Sequence, residues 1–343
     1  MDISDAPIPA FEVIAEIGVN HNGSLDLALE LVEVASRAGA TTAKFQVFRT
    51  EEVVTKSVGV ADYQRADSSA KTQFELLKEL ELGEENFIAL KNRVHALGMA
   101  FLATPDDYPS LRFLVDEMKV DRIKIGSGEV TNYRFLAQIA REGLPMILST
   151  GMSTIPEVQT AIEHLGCPNS DMLVLLHCTS SYPTELDEAN IRAITTMSRE
   201  FPYEVGFSDH TEGSVAAVLA FGLGSRIFEK HITTSQHLAG PDHKASSDPD
   251  DFRAYVNDLR AAARAIGTGQ KKPTPSESVN IPFVRRRIVA GLDIPGGTII
   301  SNEHVKFLRA ESGLSAEFWS QIEGSELKID LDAGTPIEPQ HFS

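Results

Sequence analysis

Eight short apolar runs rich in β-branched residues, most followed by a stretch with helical periodicity, recur along this 343-residue chain and constrain its fold more than anything else in it. The runs are Val13 to Val19, Thr42 to Phe48, Ala100 to Thr104, Arg122 to Gly126, Met146 to Ser149, Leu173 to Cys178, Glu204 to Ser208 and Arg226 to His231. Amphipathic stretches at Leu25 to Ala38, Phe74 to Leu97, Ile155 to Leu165 and Asp250 to Ile266 lie between or after them. Strands that alternate with helices pair in parallel, because each helix returns the chain to the edge where the last strand began. Eight such units close most economically into an α/β fold of the (β/α)8 TIM-barrel type, about 250 residues long.

After Gly267-Thr268-Gly269 the composition changes. Residues 270–284 are polar and proline-bearing, which reads as a semi-extended linker. From Arg285 the chain shows short strands and tight turns, such as Ile288-Val289-Ala290 and Asp293-Ile294-Pro295-Gly296-Gly297. The expected organisation is therefore a catalytic barrel over 1–269, a linker over 270–284 and a small domain over 285–343.

Barrels of this type carry chemistry at the C-terminal ends of their strands, and the polar residues of this chain collect there. The first strand ends in Glu16-Ile17-Gly18-Val19-Asn20-His21-Asn22-Gly23, and the second carries Lys44-Phe45-Gln46. Thr104, Lys124 with Ser127 and Glu129, Ser149, Ser180 and Ser208 stand at the ends of later strands. A single polar residue at a strand end is usually a helix cap or a solvated turn, whereas a series on eight strands in register points to a site.

His210 and His231 close two successive strands, each two residues beyond an inward polar position, Ser208 or Glu229. Period-2 alternation aims all four the same way. An isolated histidine reads first as a hydrogen-bonded core residue. Two from neighbouring strands can bind one divalent ion and leave its other positions open for a carbonyl oxygen.

A formal charge of -18 with no basic run longer than Arg285-Arg286-Arg287 argues against nucleic acid or an acidic membrane as partner. No apolar run approaches the roughly 20 residues a membrane helix needs. Cys167 and Cys178 show no metal spacing, and the acidic start has no secretory pattern, so a cytoplasmic enzyme is expected.

These motifs, with His177-Cys178-Thr179-Ser180-Ser181-Tyr182-Pro183 and Gly240-Pro241-Asp242-His243-Lys244, closely resemble the sialic acid synthase family over almost the whole chain. The tail resembles the antifreeze-like SAF domain that ends those enzymes. The resemblance implies condensation of phosphoenolpyruvate with an N-acetylated mannosamine-type sugar, releasing phosphate and forming a nine-carbon 2-keto acid. It implies Mn2+, or Mg2+ or Co2+, on His210 and His231, and anion contacts from Lys44, Thr104, Lys124, Ser127, Ser149, Ser180 and Ser208. Glu16, Gln46, Tyr182 and Asp242 match sugar-side positions, and Glu129 a second acid beside phosphoenolpyruvate. Arg309 matches an arginine that reaches into a partner's barrel, which implies a domain-swapped homodimer. Ser180 stands where many members carry Asn, and Asp106 where Phe is common.

N-acetylmannosamine is the expected sugar, with a 6-deoxy diacetamido sugar, the precursor of legionaminic acid, as the alternative, since both fit these motifs. Rival readings are a metal-dependent barrel aldolase or isomerase, a related condensing enzyme acting on phosphorylated pentose or tetrose, and an ice-binding surface protein. The lysines and serines oppose the first, the tail the second, and the need of a site-capping tail to bury its face the third.

Overall fold

The computed structural model describes residues 8–59, 72–167 and 170–342. Its eight parallel strands, β1 (Glu12–Gly18), β2 (Thr42–Val47), β3 (Ala100–Pro105), β4 (Ile123–Ile125), β5 (Met146–Ser149), β6 (Leu173–His177), β7 (Glu204–Asp209) and β8 (Ile227–His231), close into a barrel in chain order. Helices follow the strands: α1 (Leu25–Ala38) after β1, and α2 (Thr50–Val53), α3 (Gln73–Leu80) and α4 (Glu84–Ala96) after β2. Next come α5 (Tyr108–Arg112), α6 (Tyr133–Ala140), α7 (Ile155–Leu165), α8 (Ala193–Glu200), α9 (Val215–Gly222) and α10 (Pro249–Ala265), one after each of β3 to β8. The TIM barrel expected from the periodicity is the fold observed.

Alternation along the strands sorts each inner face by height. Low in the barrel, Ile14, Leu102, Ile147, Leu176 and Ile227 form a dry layer, at most 7 % exposed. Two residues further along, β1, β3, β5 and β8 present Glu16, Thr104, Ser149 and Glu229 on the same face. The outward residues, such as Phe45, Ile125, Leu148 and Phe228, pack instead against the helices in the larger core. The barrel is thus an apolar plug below and a polar ring above, held at one register by the burial of both faces.

Two local expectations change. Phe74 to Leu97 is not one amphipathic run: Glu81 leaves the helical region and Gly83 caps a new helix. The break lets the Glu81 carboxylate accept hydrogen bonds from the backbone N–H and hydroxyl of Thr50, at 3.0 and 2.6 Å. The expected semi-extended linker also contains helix α11 (Pro275–Val284). Thr274 and Glu277 cap its first turn reciprocally and Pro275 supplies a preset φ, a start signal that the proline content masks.

The chain divides into two compact units, the larger ending at Gly267 and the smaller running from Thr268. In the smaller, β9 (Arg287–Ala290) and β10 (Val305–Leu308) form an antiparallel pair, with the one-turn α12 (Trp319–Ile322) beyond. Ile288, Ile294, Ile300, Leu327, Leu331 and Ile337 give it its own core. Among the described residues no helix is long and apolar enough to cross a membrane.

Leu102 is fully buried in the inner layer, where truncation leaves a cavity that rigid strands cannot close. Leu102→Ala is expected to lower the barrel's unfolding free energy by about 2–5 kcal/mol. Urea unfolding followed by far-ultraviolet circular dichroism measures it; a loss under about 1 kcal/mol would contradict the tight layer.

Candidate active site

The upper strand ends enclose a cavity of about 420 Å3. Its floor is a set of four buried charges, Glu16, Lys44, Lys124 and Glu229, none more than 4 % exposed. Parallel register brings them together: Glu16 pairs with Lys44 on β2 and with His231 on β8, and Glu229 pairs with Ser208 on β7. Lys44 Nζ lies 2.7 Å from Glu16 Oε2 and 3.6 Å from Glu229 Oε1, while Lys124 Nζ lies 3.8 Å from Glu229 Oε2. Gln46 donates to Glu16 Oε1 at 2.8 Å, and Ser208 to Glu229 Oε1 at 3.1 Å. Gly18 sits at a register shift with φ +49°, and a Cβ there would come within 2.6 Å of Glu16 Oε1. A side chain at that position would displace the carboxylate.

The environment separates the two glutamates. Burial pushes Glu16 above the usual carboxylate range despite Lys44 beside it. Burial opposes ionisation of Glu229 too, but Lys124 and Lys44 together hold it below that range. Lys124 is lowered by burial, against the pull of Glu229. For Lys44, burial is outweighed by Glu16 and Glu229, and it is raised.

One side of the cavity suits an anion. Lys124 Nζ donates to Ser149 Oγ at 2.6 Å, and the Gly151 N–H donates to Ser127 Oγ at 2.9 Å. A Cβ on Gly151 would run into the Ser180 and Ser127 hydroxyls, so its absence lets these groups converge. Thr104 Oγ1 is 3.5 Å from Lys44 Nζ and lines the same cavity.

The opposite side carries the imidazoles. The rings of His210 and His231 lie 5.4 Å apart, with Tyr182 4.3 Å from the first and 5.6 Å from the second. His210 Nδ1 is 2.7 Å from the Thr179 carbonyl oxygen, which puts the proton of the neutral ring on Nδ1 and leaves Nε2 with its lone pair. Burial lowers both pKa values, that of His231 well below its usual range with help from His210. Asp242 Oδ2 is 3.8 Å from His231 Nδ1, and burial together with Glu16 raises Asp242 to about 7. Two neutral imidazoles beside a carboxylate are a donor set that suits a divalent ion. Among the described residues no group of three or more His, Cys, Asp or Glu is arranged to hold one alone.

The structure thus gathers thirteen of the residues singled out in the sequence into one cavity, from Glu16 to Asp242. Glu129 stands apart: it closes a 3-10 turn after β4, and its carboxylate accepts from Asn132 Nδ2 at 2.6 Å rather than lining the cavity. Arg309 belongs to the smaller unit, exposed just past β10. Sequence reasoning aims Glu229 inward without giving it a role, yet it is the carboxylate shared by both lysines. No sequence signal marks the wall of Leu76, Leu77 and Leu80, with Val19, as part of the cavity, because a leucine triplet on a helix reads as core.

Comparison with known proteins bears on this geometry. The NeuB family model matches residues 31–271, well over half the chain, and the SAF domain model matches 285–343. The chain belongs to the NeuB family. It is 42% identical to an N,N'-diacetyllegionaminic acid synthase of Legionella pneumophila, covering 96% of this chain and 94% of that protein. It is 32% identical to the human N-acetylneuraminate-9-phosphate synthase, over 85% of this chain and 81% of the other. A crystal structure of an N-acetylneuraminic acid synthetase from Leptospira borgpetersenii, in complex with citrate, superposes with a TM-score of 0.70 at 33% identity, covering 80% of this chain and 91% of that one.

In this NeuB-family cavity Asp106 is a further carboxylate, one residue past β3, raised to about 7 by burial. A carboxyl whose folded pKa exceeds its unfolded value, 3.8, holds its proton more tightly when folded, so wild-type stability falls as pH rises between those values. Asp106→Asn removes that loss. The melting temperature of the variant relative to wild type should rise from pH 4 to pH 7 and level off above; a flat difference would contradict the assigned environment.

Proposed function

We propose that the protein condenses phosphoenolpyruvate with an N-acetylated mannosamine-type sugar and water, giving a nine-carbon 2-keto acid and phosphate. The observation that carries this reading is the polarity of one cavity: Lys124, Ser127, Ser149 and Ser180 on one side, two imidazoles that burial holds toward their neutral form on the other. A substrate with two anionic groups needs the first, and an aldehyde to be made electrophilic suits the second.

Carbon 3 of the enol attacks the aldehyde carbon of the open-chain sugar, whose oxygen takes up a proton. Water adds at carbon 2, and the carbon-oxygen bond to phosphate then breaks to leave a ketone. Lys124, Ser149, Ser127 and Ser180 bind and orient the phosphate and carboxylate, with Lys44 and Thr104 at their border with the sugar. Glu16, pushed toward its protonated form, is suited to give a proton to the aldehyde oxygen, and Glu229, held ionised, favours the charged form of Lys44 and opposes the burial that lowers Lys124. Gln46 fixes Glu16, and Tyr182 and Asp242 face the sugar. His210 and His231 would hold a divalent ion, Mn2+ being the first candidate, with Ser208 beside them; when bound, it would supply Lewis-acid polarisation.

Among such sugars, a 2,4-diacetamido-2,4,6-trideoxymannose is favoured over N-acetylmannosamine. The leucine wall suits acetyl and deoxy methyl groups, and the Legionella relative is a diacetyllegionaminic acid synthase. One such group changes selectivity by about 10- to 200-fold, so kcat/KM should favour the diacetamido sugar by at least that much. The exposed Arg309 is assigned to the sugar end of a second copy's cavity, in a homodimer.

Bridging 18O in phosphoenolpyruvate should leave with phosphate, and excess EDTA should abolish turnover. Removing either imidazole, as in H210A or H231A, should cost several kcal/mol of transition-state stabilisation, about a hundredfold or more in kcat/KM. Full activity in EDTA would defeat the metal reading, and phosphate release independent of any sugar would defeat the condensation. Arg309→Ala should raise the sugar KM and leave that of phosphoenolpyruvate unchanged, in a protein whose light-scattering mass is a dimer's; a monomeric mass would remove the shared site.

A further inference from the structure

Behind the imidazoles, on the helix side of the sheet, lies a second buried ion pair that the chemistry above does not use. Asp209 and Lys230 are 1 % and 4 % exposed, and Lys230 Nζ lies 3.3 Å from Asp209 Oδ2. Such a pair adds little stability, since desolvating two charges offsets most of their attraction and well-packed apolar residues often do as well. Its place in the chain suggests another use. Asp209 immediately precedes His210, and Lys230 immediately precedes His231.

The β7–β8 ladder ends at the rung joining those same two residues. Beyond it the backbones go to different neighbours. The His210 carbonyl accepts from the Thr184 N–H at 2.8 Å in the loop after β6, and the His231 carbonyl from the Ser247 N–H at 2.9 Å in the loop after β8. The side chains behind replace the missing rung. Lys230 Nζ donates to the Thr211 carbonyl at 2.7 Å while facing Asp209, so one ammonium grips the residues on both sides of His210. Asp209 Oδ1 closes the loop by accepting from the Thr211 N–H at 2.8 Å and the Thr211 hydroxyl at 2.7 Å. From α10, the Tyr255 ring backs the ammonium at 4.9 Å.

We infer that Asp209 and Lys230 are positioning residues that set the spacing and orientation of the His210 and His231 imidazoles for a divalent ion. This rests on the metal reading above, and supporting groups of this kind typically change metal affinity by about 10- to 100-fold.

The test compares Mn2+ affinity, read from the electron paramagnetic resonance signal of free Mn2+, with phosphoenolpyruvate affinity from calorimetric titration. The proteins are wild type, K230M, the charge-free D209N/K230M and H231A. K230M strands a buried carboxylate, and if it does not fold the double variant carries the test. Mn2+ affinity should fall about tenfold or more in D209N/K230M while phosphoenolpyruvate affinity stays within about twofold, because the anion side touches neither residue. Unchanged Mn2+ affinity in the folded double variant, or a parallel loss of both affinities, would overturn the positioning role. A wild type that binds no Mn2+, or H231A that binds it normally, would instead remove the metal reading and the positioning role with it.

Discussion

The site depends on an alternation of charge in a place that excludes water. Glu16, Lys44, Glu229 and Lys124 form a chain of two carboxylates and two ammoniums across the barrel, with neighbouring members 2.7 to 3.8 Å apart. Each ion alone would cost several kcal/mol to bury, and each is tolerated because its neighbours carry the opposite sign. The arrangement also fixes protonation. Burial opposes ionisation of both, but Glu229 has a lysine on each side and stays ionised, whereas for Glu16 burial, helped by Glu229, outweighs its one lysine and pushes it toward its acid. Two residues of one type thereby take different roles.

That chain exists because the barrel changes character with height. The strands that present Ile14, Leu102, Ile147 and Ile227 to a dry layer present Glu16, Thr104, Ser149 and Glu229 two residues later. The apolar layer excludes water from below and strengthens every interaction above it. The outward residues do a different job. At most positions they pack on helices, but at the ends of β7 and β8 they are Asp209 and Lys230, and the charge there braces the strand ends rather than the core.

Much of this was legible before any coordinates. Apolar runs alternating with helices imply the barrel, and strand-end polarity gathers Glu16, Lys44, Lys124, His210 and His231 correctly because a two-residue period on a parallel strand leaves little freedom. Elements set by local hydrogen-bond competition were not legible. Helix α11 is hidden by its prolines, and the break between α3 and α4 exists because Glu81 bonds Thr50, a residue 31 positions away. Glu129 reads in the sequence as a second acid at the end of β4, yet the turn after that strand directs its carboxylate to Asn132.

The sequence by itself determined which residues face inward, at what height, and in which of two regions of the chain they lie, since these follow from period, length and composition. Only the tertiary structure decided which charges are neighbours. Whether Glu229 meets one lysine or two, and whether Asp209 meets Lys230, depends on strand register and barrel closure. Those are set by the packing of all eight strands together, and no single segment encodes them.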